Sequence, residues 1–188
     1  MKRVLGLNQR GFTLIEVIVV AAIIAILAGI LVPMIFNQID EAKITKAKGD
    51  AKTIQNAILA LKKDTGNWPV FSDDATVPAN ATLKMLSSDG ADPDFGTTVG
   101  WKVAGAAFTQ LVDQAEGTKI YGTSWKGPYL SGVLMDPWGK RYFVNVGDFN
   151  TPGAPVWIIS AGPDGILDTE TSATEIASTS KNIGIRIK

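Results

Sequence analysis

The longest hydrophobic pattern in the sequence is an unbroken apolar run over residues 17–36. The wider segment 12–36 that contains it has only two strongly polar members, Thr13 and Glu16. A helix that crosses a bilayer needs about 20 apolar residues. The pattern therefore predicts a membrane-spanning helix over 12–36. We expect a kink or a melted turn near Gly29–Pro33, because proline removes a helical hydrogen bond and crowds the preceding turn.

Beyond this run, apolar residues recur at spacings of three and four, which predicts that the helix continues as an amphipathic segment over 37–65. The apolar stripe consists of Ala47, Ala51, Ile54, Ala57, Ile58 and Leu61. Gly66 is expected to cap the helix, and Pro69 argues against continuation. We therefore predict one helix over 12–65, whose first half lies in lipid and whose second half packs on a small domain.

The remaining residues, 66–188, are predicted to form a globular α+β domain, in which the helix lies on a small antiparallel β-sheet. The predicted strands are 141–146, 156–160 and 183–187, the first two forming a hairpin. Short helical segments are expected at 82–86 and 106–114. An exposed loop is expected over 87–100, because Asp, Gly and Pro are frequent there.

Composition narrows the chemistry that this chain can perform. It has 188 residues, no cysteine and no histidine, which excludes disulfides, thiol catalysis and the commonest general base. The 18 basic and 18 acidic residues balance, so no basic surface typical of nucleic-acid binding is expected. The sequence also contains no phosphate-binding glycine loop and no nucleophile elbow. We expect no nucleic-acid partner, and the composition disfavours much of ordinary enzyme chemistry.

The residues before the apolar run predict its orientation in a membrane. Residues 1–11 carry basic side chains and no acid, so the positive-inside rule places them in the cytoplasm and 37–188 on the other side. A secretory signal peptide would have a shorter apolar stretch of roughly 7–15 residues. A plain signal anchor does not explain Glu16, because a carboxylate in a membrane helix costs about 2–3 kcal/mol. Glu16 is therefore a candidate functional residue.

The segment from Arg10 to Glu16 reads Arg-Gly-Phe-Thr-Leu-Ile-Glu and resembles the prepilin processing site of type IV pilins and type II secretion pseudopilins. The resemblance implies that a prepilin peptidase cuts between Gly11 and Phe12 and methylates the new amino group of Phe12. It also places Glu16 where this family has its glutamate. Pro33 falls where these helices commonly have a proline.

Cleavage would remove the leader 1–11 and create an ammonium group on Phe12. In a helical filament, Glu16 of one subunit could meet the amino terminus of its neighbour, so that two charges costly in lipid offset one another. The alternative for Glu16 is a carboxylate that reaches the membrane interface without a partner. For Pro33, the alternatives are a role in subunit packing and a bend without one.

Three motifs further along resemble the globular domain of the major pseudopilins of type II secretion. They are Gly127-Pro128-Tyr129, Asp136-Pro137-Trp138-Gly139 and Ser160-Ala161-Gly162-Pro163-Asp164-Gly165. The resemblance implies a calcium ion bound by a loop near the C terminus, in place of the disulfide of many type IV pilins. Asp136 with Pro137 is interpreted as a turn former and not as a metal ligand.

The calcium ligand carried over from this resemblance is Asp164. Asp168, Glu170 and Glu175 lie in the same region and are further candidates. Calcium binds six to eight oxygens, from carboxylates and backbone carbonyls of a flexible loop, and this segment offers both. The segment lacks the residue order of an EF-hand. The alternative is a solvated acidic turn without a metal.

The resemblance implies a structural subunit of a type II secretion pseudopilus, with no catalysis of its own. It implies one pass through the inner membrane, a periplasmic domain, and export driven by filament growth. The expected partners are copies of this chain, minor pseudopilins, the prepilin peptidase and the inner-membrane assembly platform. Residues 87–125 make the domain longer than a compact major pseudopilin, which leaves a minor subunit open. A type IV pilin for adhesion, motility or DNA uptake, and a signal-anchored periplasmic enzyme or binding module, are the alternatives.

Overall fold

The computed structural model describes residues 11–69, 71–72, 81–82, 84–96, 100–102, 106–132 and 134–188. The chain divides into two compact units, Met1–Glu41 and Ala42–Lys188. Helix α1 (Leu14–Thr65, 52 residues) contributes its first half to one unit and its second half to the other. The single helix predicted over 12–65 is therefore confirmed.

Helix α1 runs through Pro33 without interruption, so a melted segment near Gly29–Pro33 is wrong, and the alternative expectation of a kink there stays a prediction. Proline removes one hydrogen bond of the helix. Every other backbone group of these turns can still bond to its helical partner, since proline lacks only its own N–H. The loss of one bond is therefore not enough to unwind the surrounding turns.

The end of α1 follows the predicted glycine cap. Gly66 has a φ of +72°, and its N–H donates to the carbonyl of Lys62 at 3.0 Å. The hydroxyl of Thr65 donates to the carbonyl of Leu61 at 2.8 Å. The first bond supplies a donor to a carbonyl of the last helical turn, and the second adds a side-chain donor to the carbonyl just before that turn.

The second unit contains a five-stranded sheet of order β4-β3-β5-β6-β7. The strands are β1 (Phe71–Ser72), β2 (Ala81–Thr82), β3 (Leu86–Ser87), β4 (Ala106–Ala107), β5 (Phe143–Val144), β6 (Trp157–Ser160) and β7 (Ile183–Arg186). Strands β3, β5, β6 and β7 are antiparallel neighbours, and β4 pairs in parallel with β3 at one edge. Strands β1 and β2 form a separate antiparallel pair. The α+β fold with a small antiparallel sheet is confirmed.

The predicted hairpin is present, because β5 and β6 pair in antiparallel register, with Val144 opposite Ile158. The helical turn predicted at 82–86 is wrong: Leu86 is fully buried and pairs with Val144 in the sheet. The helix predicted at 106–114 begins too early. Residues 106–107 form β4, and two helices follow, α2 (Thr109–Val112) and α3 (Gln114–Tyr121).

The sheet is covered on both faces. Val144 and Ile158 pack in one cluster with the buried stripe of α1, which confirms that the stripe is core. Phe143 and Ile159, their neighbours along the strands, pack in a second cluster with Trp101. Side chains of adjacent strand residues point to opposite faces, so one short hairpin serves both clusters.

Two of the sequence motifs have a structural explanation in this unit. A Cβ built on Gly127 would lie 2.5 Å from the ring of Trp125, so this position has no room for a larger residue. One carboxylate oxygen of Asp136 accepts the N–H groups of Trp138 at 3.0 Å and Lys140 at 2.7 Å. Its other oxygen accepts the hydroxyl of Ser160 at 2.6 Å. Asp136 is thus a buried turn former, as predicted.

A hydrogen bond between Tyr142 and Asp50 links α1 to the sheet. It predicts that the stability of the fold decreases at alkaline pH. Burial, and next the negative charge of Asp50, raise the pKa of the fully buried Tyr142 well above its ordinary value near 10. The hydroxyl of Tyr142 donates to the carboxylate of Asp50 at 3.2 Å. A raised pKa in the folded state means that the stabilisation is complete below about pH 10 and is lost as pH rises further.

We predict that Tyr142→Phe lowers the free energy of unfolding by about 1–2 kcal/mol at neutral pH, because a hydrogen bond to a charged group is lost. We also predict a smaller loss of stability above pH 10 in this variant than in the unaltered chain. Urea unfolding of the detergent-solubilised protein from neutral pH to beyond pH 10 measures both effects. The same steep alkaline loss in both proteins would contradict this account of Tyr142.

Candidate functional site

The predicted cleavage position lies in an exposed part of the chain. Gly11 and Phe12 are both exposed, and a Cβ built on Gly11 would meet no atom within 4 Å. The backbone of Gly11 is not in the left-handed region, so the fold itself does not require glycine there. A requirement for glycine would have to come from another molecule. The rest of the predicted leader, residues 1–10, lies outside the described residues.

Glu16 and Thr13 form a reciprocal cap at the start of α1. The backbone N–H of Thr13 donates to a carboxylate oxygen of Glu16 at 2.7 Å, and its hydroxyl donates to the same oxygen at 2.8 Å. The N–H of Glu16 in turn contacts the hydroxyl of Thr13 at 3.3 Å. This is the capping-box arrangement, in which residues three apart satisfy free N–H groups of the first turn. The sequence interpretation missed it, although the spacing Thr-x-x-Glu is its signature.

The first half of α1 exposes apolar side chains on all sides. From Phe12 to Ile39, the large hydrophobic side chains of this segment are between 43% and 88% exposed. Pro33 lies among them and is itself exposed. Within the described residues, α1 is the one helix long and apolar enough to cross a membrane. No residue that the structure describes buries these side chains.

Three of the four acidic residues proposed as calcium ligands line one cavity of about 340 Å³. They are Asp168, Glu170 and Glu175, and the hydroxyl residues Thr169, Thr179 and Ser180 are also part of the lining. Asp164 is not part of this cavity. One of its carboxylate oxygens accepts the N–H of Ile166 at 3.1 Å, and the other lies 4.0 Å from the ammonium of Lys181.

The donor atoms around this cavity are of the kind that calcium prefers. They are carboxylate and hydroxyl oxygens, which suit a hard cation better than a transition metal. Asp168 is already held, since the hydroxyl of Ser180 donates to it at 2.5 Å. In the part of the chain that the structure describes, no three acidic side chains converge as a ready-made metal group. The exposed side chains of Glu170 and Glu175 would have to turn inward to complete a site.

A buried amide organises the same loop, and the sequence interpretation did not identify it. Asn182 is 7% exposed and hydrogen-bonds to the backbone of the segment that leads to Asp168. Asparagine near a strand start carries no distinctive sequence signal, because its importance here depends on contacts 13 to 21 residues away. Only the folded structure brings these groups together.

A second cavity of about 440 Å³ is relevant to the alternative of an enzyme or binding module. Its lining includes Lys84, Asn145, Asp148 and Thr171. The amide of Asn145 donates to Asp148 at 2.6 Å and to the carbonyl of Pro155 at 2.9 Å, and accepts the N–H of Trp157 at 2.7 Å. The amide of Asn145 is thus bonded within the chain and links the two strands of the β5–β6 hairpin, as expected of a structural role.

Comparison with known proteins gave two family matches. Residues 6–32 match the prokaryotic N-terminal methylation motif, and residues 104–179 match the type II secretion system protein G. No solved structure matched this chain.

Several curated relatives are named type II secretion system core protein G. The protein from Pseudomonas aeruginosa PAO1 is 48% identical over 160 residues, which cover 84% of this chain and 86% of that protein. The protein from Klebsiella michiganensis is 37% identical over 87% of this chain and 89% of its own length. The protein from Escherichia coli K12 is 29% identical over 89% and 90%.

These matches cover both the processing segment and the globular unit, and the relatives are aligned over most of their length. The exposed apolar helix and the small antiparallel sheet agree with them. This chain belongs to the family of the type II secretion system core protein G, the major pseudopilins.

Proposed function

We propose that this chain is cleaved by a prepilin peptidase between Gly11 and Phe12 and assembles with copies of itself into a periplasmic pseudopilus that drives protein export. Membership of the family identifies a structural pseudopilus subunit. The observation that carries the proposal is the continuous exposed apolar surface of the first half of α1. The type IV pilin alternative has less support, because the relatives that match belong to type II secretion.

The apolar half of α1 sets the energetic requirement for assembly. Burial of one Val, Leu, Ile or Phe side chain is worth about 1.5–3 kcal/mol. The large side chains of this segment are mostly more than half exposed, so leaving them in water would cost on the order of tens of kcal/mol. Lipid removes that cost before assembly, and the helices of neighbouring subunits remove it in the filament. The helix therefore anchors the precursor in the inner membrane, with the second unit in the periplasm.

Glu16 contributes twice to this proposal. In the single chain it caps the first turn of α1 through Thr13. After cleavage, the new ammonium of Phe12 supplies a positive charge near the same end of the helix. The carboxylate of a neighbouring copy then offsets that charge in an apolar setting, where neither is stable alone. We propose that Pro33 belongs to the apolar surface of α1 through which neighbouring subunits pack, because it is exposed among the apolar side chains.

The other partners follow from this assembly route. The prepilin peptidase acts on the exposed segment around Gly11, and the inner-membrane assembly platform takes up processed subunits. Minor pseudopilins join the same filament. Growth of the filament pushes proteins outward, and the chain contributes mechanical structure to this process. We assign no bond-making step to any of its residues.

We further propose that calcium binds in the cavity lined by Asp168, Glu170 and Glu175. The support is that three acidic residues line the same cavity, with the hydroxyls of Thr179 and Ser180 beside them. A bound cation would neutralise the acidic side chains of this loop. Asp164, the ligand carried over by resemblance, engages Ile166 and Lys181 outside this cavity.

We predict that Gly11→Leu leaves the full-length precursor in the membrane, because a large side chain blocks the peptidase from the extended backbone. The matched control is Gly29→Leu, since a Cβ built on either glycine meets no atom within 4 Å. Intact-mass measurement of the purified chains distinguishes precursor from processed protein. Normal cleavage of the Gly11 variant would contradict the assigned site.

Three variants separate the two roles of Glu16. Glu16→Gln keeps an oxygen acceptor for the cap and removes the charge. Thr13→Ala removes the two hydroxyl contacts of the cap and keeps the charge, and Glu16→Ala removes both the acceptor and the charge. We predict that both Glu16 variants are processed but yield at least tenfold fewer filaments, while Thr13→Ala assembles nearly normally. Electron microscopy of sheared filaments and immunoblots provide the counts. Normal filaments from Glu16→Gln would show that the cap, and not the charge, is what assembly needs.

We predict that calcium raises the melting temperature of the processed protein in detergent. A ligand that binds only the folded state at 100 times its dissociation constant adds about 2.7 kcal/mol. Asp168→Asn should abolish the shift, and the control Asp164→Asn should retain it. Calorimetric melts in calcium and in chelator provide the comparison. Loss of the shift only in Asp164→Asn would place the cation at that turn, and no shift in the unaltered chain would refute calcium binding.

A further inference from the structure

The segment between β6 and β7, residues 161–182, is long and irregular but partly buried. Leu167 is fully buried, and Thr169 is 5% exposed. The indole of Trp101 donates to the carbonyl of Thr169 at 2.6 Å. Buried irregular backbone must find hydrogen-bond partners that a strand or helix would otherwise supply. Other groups must therefore supply the hydrogen bonds that regular secondary structure would provide in this loop.

The side chain of Asn182 provides four of these partners. Its carbonyl oxygen accepts the N–H groups of Asp168 at 3.2 Å and Thr169 at 2.9 Å. Its amino group donates to the carbonyls of Ala161 at 3.1 Å and Ile166 at 2.5 Å. An asparagine amide has two donors and two acceptor positions, so its hydrogen-bonding capacity is fully used. A rotation of the amide by half a turn would oppose like groups at all four contacts.

The surroundings of Asn182 extend this arrangement to the carboxylate of Asp168. The N–H of Asn182 donates to the hydroxyl of Ser180 at 3.1 Å, and that hydroxyl donates to Asp168 at 2.5 Å. The loop also lies close to the chain before β7, because a Cβ on Gly162 would sit 2.0 Å from the carbonyl oxygen of Lys181. Gly162 has a φ of +75°, which a side chain would disfavour in any case.

Two carbonyls that point at one centre are a feature that cations exploit, and here an amino group occupies that centre. A cation in place of the amide would leave the N–H groups of Asp168 and Thr169 without an acceptor, because a cation cannot accept a hydrogen bond. The side-chain oxygen of Asn182 accepts both. We propose that Asn182 is an internal polar brace that holds residues 161–169 in place without a metal ion and orients Asp168 toward the cavity. The brace organises the loop, and calcium, if bound as proposed above, adds stability to a loop that is already folded.

The first test uses the processed chain with no substitution, in detergent and in excess chelator. Hydrogen exchange followed by mass spectrometry or NMR reports on the amides of Asp168 and Thr169. We expect both to be protected in chelator, with only a modest further slowing when calcium is added. Protection that appears only with calcium would overturn the proposal, since the metal and not Asn182 would then organise the loop.

The second test compares Asn182→Ala and Asn182→Asp with Asn150→Ala. Asn150 is exposed and serves as the matched control for the loss of an asparagine amide. Both Asn182 variants lose the two donations to carbonyls, and we expect the amides of Asp168 and Thr169 to exchange roughly tenfold faster or more. Amides of β5 should change much less, and the control should match the unaltered chain. Unchanged exchange at Thr169 in both Asn182 variants would overturn the proposal.

The outcome for calcium is measured separately by titration calorimetry of the same proteins. If the unaltered chain binds no calcium but Thr169 is protected in chelator, the calcium proposal fails and the brace stands. If calcium binds, Asn182→Ala should weaken it, because Asp168 is no longer held in position. Should Asn182→Ala fail to fold, protection of the unaltered chain in chelator still decides between brace and metal.

Discussion

The constraint on which this protein depends is that half of its long helix has no apolar partner within the described chain. A helix satisfies its own backbone hydrogen bonds, but it cannot bury its own side chains. Between Phe12 and Ile39, the large apolar side chains face outward with at least 43% of their surface exposed. The structure of this segment is therefore complete only in lipid or against other helices. Membrane anchoring and the proposed self-assembly would each cover these apolar side chains.

The second unit, by contrast, buries its apolar side chains within itself. The stripe from Ala47 to Leu61 covers one face of the sheet, and Trp101 with the C-terminal loop covers the other. Single polar side chains hold the irregular connections: Asp136 ties a turn to β6, and Asn182 ties the loop to β7. This division explains how one chain can combine a segment that requires partners with a domain that does not.

The sequence predicted those elements that form because of the residues within them or next to them. The long helix, its glycine cap at Gly66, and strands β5, β6 and β7 all follow from periodicity and turn residues. Strand β3 was missed because its two residues are extended through pairing with β4 and β5, which lie far away in the sequence. The N-terminal methylation motif was recognisable from one short string, while the cap between Thr13 and Glu16 was visible in the same string and was overlooked. The role of Asn182 was not predictable, since four backbone groups distant in sequence define it.

Oxidative crosslinking in intact membranes tests most directly whether copies of the chain cover the apolar half of α1. The sequence contains no cysteine, so single cysteines introduced at successive positions from 17 to 36 report without background. In cells that make the complete secretion system, we predict covalent dimers at a subset of positions with helical spacing, and their loss when Gly11 is blocked. Monomers at every position would show that lipid alone covers the helix, and the filament account would be contradicted.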